Sequence, residues 1–76
     1  MSEPVILDAT GLKCPLPVLK ARKAMRDLPE GGLLRVIATD PGAAKDFEHF
    51  CSTAGHRLVA QHEAAGVLTF DIRKEG

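Results

Sequence analysis

The chain has 76 residues, 45% of them hydrophobic and 26% charged, with ten Lys and Arg balanced by ten Asp and Glu. That length accommodates one domain, 1–76, and excludes a second, while the composition is that of a folded globular protein and excludes disorder. No stretch approaches the roughly 18 apolar residues of a membrane span, and Met1-Ser2-Glu3-Pro4 lacks the basic start and apolar run of a secretory leader, so a soluble cytoplasmic protein is expected.

Val5-Ile6-Leu7, ended by Asp8 and a turn around Gly11, reads as a first strand. A helix follows from Pro15 to about Leu28. Its apolar side is Val18, Ala21, Met25 and Leu28, Lys20, Lys23 and Asp27 line another, and Pro29-Glu30-Gly31-Gly32 stops it. Leu33 to Thr39 is a second strand. Asp40-Pro41 starts a second helix, Pro41 to about Ala54, with Ala43, Phe47, Phe50, Cys51 and Ala54 as its stripe and Gly55 after its end. Arg57–Glu63 and Val67–Arg73 form a final antiparallel pair joined by Ala64-Ala65-Gly66.

This βαβαββ order predicts an α+β, two-layer sandwich. Right-handed crossovers place both helices on one face of a four-stranded mixed sheet, and the other face stays open. With no Trp or Tyr and only three Phe, the core is expected to be aliphatic.

The most specific chemistry lies in Cys14-Pro15-Leu16-Pro17. With Cys14 as N-cap, Pro15 and Pro17 occupy the first and third helical positions, where a missing N–H costs the helix nothing. A thiol at a helix start is favoured as thiolate. The prolines leave only the Leu16 N–H to meet the sulfur, so the expected pKa is depressed moderately, to about 6–8. The bland alternatives are also clear. Asp8 caps the turn, Gly11 supplies a positive φ, and Cys51, on an apolar stripe, is a small buried hydrophobe.

Charge is unevenly spread. Lys13, Lys20, Arg22, Lys23 and Arg26 flank the cysteine with no acidic residue between Ala9 and Arg26. Lys20 lies about 9 Å along the helix from Cys14 and Arg26 about 18 Å, against a Debye length of about 8 Å. Lys13 alone is then placed to tune the thiol, and the other four form a candidate partner-binding face, against the bland reading of a solvated one.

The pattern Asp8-x-x-Gly11-x-x-Cys14-Pro15-x-Pro17, then the basic helix, then Asp40-Pro41, resembles the TusA/SirA-like sulfur-carrier family over essentially the whole chain. That resemblance implies a sulfurtransferase whose Cys14 carries sulfur as a covalent persulfide, with no separate cofactor. It further implies a donor of the cysteine desulfurase or rhodanese type and an acceptor protein, with tRNA 2-thiolation among the pathways. Leu16 departs from the acidic residue of the tRNA-thiolation members, so the carrier role transfers to Cys14 more directly than the pathway does. By the same analogy Asp8, Gly11, Pro15, Leu16 and Pro17 support the cysteine.

Other classes fit less well. A self-contained hydrolase or transferase wants a base beside its nucleophile, and His49, His56 and His62 are all distant in sequence. A thiol-disulfide oxidoreductase wants a second cysteine at the position of Pro17, and Cys14 and Cys51 form neither a disulfide framework nor a metal-ligand pattern. A regulatory module binding protein or RNA through the basic helix is the non-enzymatic alternative. No membrane partner is expected.

Overall fold

In the computed structural model, which describes residues 3–75, six elements follow in the order βαβαββ. Met1 and Ser2 of the opening stretch and Gly76 lie outside the described residues. The strands β1 (Val5–Ala9), β2 (Leu33–Ala38), β3 (Arg57–Ala64) and β4 (Val67–Arg73) form one mixed sheet in the order β1-β2-β4-β3. Helices α1 (Leu16–Arg26) and α2 (Ala43–Ala54) cover one face. Among the described residues no helix is long and apolar enough to cross a membrane.

β1 and β2 are parallel, with register running from Val5 opposite Leu34 to Ala9 opposite Ala38, so both strands end side by side. β4 pairs antiparallel with both β2 and β3. The final hairpin therefore folds back into the sheet, and its second strand takes the inner place. Residue chemistry explains which strand goes inside: β4 alternates buried Leu68, Phe70 and Ile72, whereas Gln61, His62 and Glu63 of β3 are exposed, as an edge strand tolerates. Ala65 at φ 53° and Gly66 at φ 81° make the tight turn between them.

The inward residues of β2, namely Leu34, Val36 and Ala38, join that β4 row under the helices. The core is aromatic at its centre rather than aliphatic, which corrects the reading from composition. Phe47 stacks on Phe70 with ring centroids 4.7 Å apart, and Phe50 meets Phe47 edge-on at 6.4 Å. Ala9, Ala21, Ala38 and Ala43 are all fully or almost fully buried around them, so a small sheet and two close helices leave the space that three rings fill. On the open face Arg35 and Asp71, paired across β2 and β4, make two hydrogen bonds of 2.8 and 3.1 Å.

Both helices start later than the sequence suggests. Pro15 rather than Cys14 is the N-cap of α1, and α1 ends at Arg26, with Leu28 N–H bonding back to Met25 O beyond its end. α2 starts at Ala43 because Asp40 first builds a turn of its own, its carbonyl accepting from Ala43 N–H at 3.0 Å and its carboxylate from Gly42 N–H at 3.2 Å. Ala54, expected on the buried stripe, is exposed at the far end of α2.

Phe47→Ala should cost about 3–5 kcal/mol, a large share of the about 4–11 kcal/mol that a chain of this length carries. Urea unfolding followed by circular dichroism measures the loss, and a change below about 1 kcal/mol would contradict an aromatic centre.

Candidate functional site

Because β1 and β2 end in register, the loops that leave them emerge together at one edge of the sheet, the edge where parallel strands commonly present their functional groups. The β1 loop carries Cys14, and the β2 loop carries Asp40 and leads into α2. The two are tied by Gly11 N–H, which donates to Thr39 Oγ1 at 2.9 Å. Gly11 has φ 78° and follows Thr10 in a turn closed by Leu12 N–H to Ala9 O. Asp8 Oδ1 accepts from the Thr10 hydroxyl at 2.7 Å and from Thr10 N–H at 3.0 Å, and these bonds, the hydroxyl first, hold its carboxyl below the usual range. Asp8 and Gly11 thus shape the loop and do not touch the thiol.

Cys14 is exposed, and its peptide bond to Pro15 is cis. Pro15 and Leu16 are exposed as well, whereas Pro17 is fully buried and anchors the start of α1 to the core. The Leu16 N–H donates to Lys13 O at 2.8 Å, so it is not the sulfur's donor. The first turn of α1 therefore gives the sulfur little.

The sulfur's partner comes from α2. Cys14 S–H donates to Asp46 Oδ2, a carboxylate in the first turn of that helix. This contact, then desolvation, then the negative charges of Asp46 and Asp40, raise the Cys14 thiol above its ordinary range. The expected depression is thus reversed. Lys13 is exposed beside the cysteine, but the charges that act on the sulfur are Asp46 and Asp40, so the edge is not the cationic one that a linear reading suggests. Closeness of the two loops explains it: a Cβ added to Gly42 would lie 3.1 Å from Asp40 Oδ2 and 3.9 Å from Cys14 Cβ.

The basic residues of α1 do not share one face. Lys20 lies on the flank that acts on Asp8, while Arg22 and Arg26 line the groove between the helices. At 100° per residue Lys23 falls on the outer crest with Leu16 and Leu19, which are 47% and 48% exposed. The groove consists of two hollows that share Arg22, Phe50 and Thr53. One, about 200 Å³, opens at Pro15, Asp46 and His49, and the other, about 360 Å³, reaches Arg26, His56 and Lys74. The Arg22 guanidinium sits 5.9 Å from the Phe50 ring centroid.

Of the histidines, His49 stands in the groove one turn beyond Asp46 and carries the Thr53 hydroxyl on its backbone carbonyl at 2.8 Å. His56 Nδ1 accepts from Glu75 N–H, and His62 is exposed on β3. Among the described residues no group of His, Cys, Asp and Glu is placed to hold a metal ion. Cys51 is buried, and burial pushes its thiol up to about 11.

A family model described as sulfurtransferase TusA matches residues 5–74. The chain belongs to the sulfurtransferase TusA family. A sulfur carrier protein TusA of Pseudomonas paraeruginosa is 53% identical over 77 residues, covering 99% of this chain and 98% of that protein. Another, from Pseudomonas fluorescens, is 54% identical over 68 residues, covering 90% and 82%. Among solved structures, a SirA-like protein from Desulfitobacterium hafniense superposes with a TM-score of 0.82 at 26% identity, covering 95% of this chain and 99% of that one. The two-layer fold with a mixed four-stranded sheet is thus that of the TusA and SirA-like proteins.

Cys14 should be the thiol that iodoacetamide reaches in the native protein, with Cys51 reacting only after urea unfolding. Cys51's folded pKa is raised, so its contribution to stability is complete below the unfolded value of about 8.5 and is lost as pH rises towards about 11. Urea midpoints should fall over that window, and less steeply in Cys51→Ala. Native double alkylation, or identical slopes, would contradict the buried assignment.

Proposed function

We propose that the protein is a sulfur carrier that takes sulfur onto Cys14 as a persulfide and hands it to an acceptor protein. The observation that supports this most is an exposed thiol on the loop beyond the paired ends of β1 and β2, in a TusA-family chain whose relatives are named sulfur carrier proteins. Such a thiol can enter another protein's active site.

In loading, Cys14 Sγ forms a bond to the outer sulfur of a donor persulfide and the donor's own S–S bond breaks. The donor leaves as a thiol, taking the proton that Cys14 gave up. Nothing is oxidised or reduced overall, and the reverse exchange discharges the carrier onto its acceptor. A cysteine desulfurase or rhodanese-type protein in the cytoplasm is the donor in this reading, and tRNA 2-thiolation is one route the sulfur can take. Leu16 and Leu19 offer an apolar contact beside the cysteine, and Arg22 and Arg26 place positive charge in the groove.

Arg22→Glu with Arg26→Glu should slow sulfur transfer from a desulfurase roughly tenfold at low salt, because steering of an acidic partner is lost. The defect should shrink as salt rises, and reaction with a neutral alkylating reagent should stay unchanged. Stopped transfer in Cys14→Ser completes the test. Transfer that survives Cys14→Ser would overturn the carrier reading in favour of a binding module.

A further inference from the structure

Loading and discharge share one species. Cys14 must be a thiolate to attack a donor persulfide, and it must become a thiolate again when its own persulfide gives up the outer sulfur. Anything that disfavours negative charge on Sγ slows both. The fold places such a group in contact with the sulfur: Asp46, on the first turn of α2, accepts the Cys14 S–H.

The surroundings do not cancel this. In its own loop Cys14 has Lys13 next to it in the chain, exposed to solvent. The loop before α2 adds Asp40, whose charge acts in the same direction as that of Asp46. On α2, His49 follows Asp46 along the groove, and from α1 Arg22 lines the same hollow. Asp8, at the end of β1, is engaged by Thr10. A carboxylate is a far weaker base than a thiolate, so Asp46 accepts the hydrogen bond of the Cys14 thiol without taking its proton. Its contact with the sulfur therefore restrains the reaction more than it drives it.

We propose that Asp46 gates Cys14: its carboxylate holds the sulfur as a neutral thiol, so that sulfur enters and leaves at a useful rate only when a docked partner covers Asp46 with a cation of its own. Asp46 is then a positioning residue, and the partner chemistry it selects is a Lys or Arg side chain brought against the start of α2. Small neutral thiols and oxidants, which bring no cation, meet a restrained sulfur. This deepens the carrier reading above and rests on it for both the loading and the discharge of sulfur.

The test compares wild type with Asp46→Asn, Asp46→Ser and Asp46→Glu, each checked for folding by circular dichroism. The rate of iodoacetamide alkylation is followed against pH. Wild type should titrate above about 8.5, Asn and Ser should bring the midpoint down, and Glu should restore it. Each unit of fall multiplies the thiolate fraction at pH 7.5 about tenfold, and lower nucleophilicity leaves a net gain of about three- to fourfold. In a second arm, protein loaded with glutathione persulfide is discharged by cyanide, whose carbon bonds to the outer sulfur while the Cys14–sulfur bond breaks, giving thiocyanate and the Cys14 thiolate. Asp46→Asn should release thiocyanate several-fold faster than wild type.

An unchanged or raised midpoint in both Asn and Ser, or equal discharge rates, overturns the gate. A wild-type midpoint below about 8.5 overturns it without any variant. The alkylation arm reads the bare thiol, so its failure leaves the carrier reading intact, whereas failure of Cys14 to load at all strikes that reading and leaves the gate tested.

Discussion

Parallel pairing of β1 with β2 is the constraint on which the site depends. Because Ala9 and Ala38 stand opposite each other, the chain leaves both strands at the same edge, and two loop-to-helix starts that are far apart in sequence become neighbours. The bond from Gly11 to Thr39 ties them. Burial of Phe47 against Phe70 fixes α2 on the sheet from below, and Phe47 is the next residue after Asp46. The position of the carboxylate at the sulfur is thus a consequence of core packing.

That arrangement decides the electrostatics. A helix start offers about half a positive charge, and two helix starts converge on this edge. Around the sulfur, however, the α1 start has prolines at two of its positions and a Leu16 N–H already given to Lys13 O, while the α2 start has Asp46 in its first turn and Asp40 ahead of it. A whole negative charge in hydrogen-bond contact outweighs a partial positive one, and the thiol is raised. Reactivity at such a sulfur comes from exposure and from what a partner brings, which suits a carrier that must survive between encounters.

The order of elements, the face covered by the helices, the wet alternation of β4 and the burial of Cys51 were all legible, because each follows from local periodicity and turn chemistry. The aromatic centre was not legible from composition. Three Phe are few in number, yet α2 and β4 bring all of them to one place. The site was half legible. Cys14 announced itself through its prolines, but Asp46 reads as an ordinary acidic residue in a helix's first turn, where a carboxylate meets the helix dipole. The signal that could have found it was the likeness of the Cys14-Pro15 and Asp40-Pro41 starts, taken together with a parallel β1 and β2. The basic helix misled for a related reason: linear charge counting ignored both the carboxylates that the fold returns to Cys14 and the helical period that sends Lys20 and Arg22 to opposite flanks.

A carrier needs its sulfur on one residue, presented outward and shielded from a second thiol. Cys14 is exposed, Cys51 is buried, and the sheet's outer face carries the Arg35–Asp71 ion pair. The most direct measurement is peptide mass spectrometry of the whole protein after incubation with a cysteine desulfurase and cysteine. One added sulfur confined to the peptide that contains Cys14, and absent in Cys14→Ser, is the result this account predicts. Sulfur on Cys51, or no sulfur addition with only a mixed disulfide formed, would contradict it.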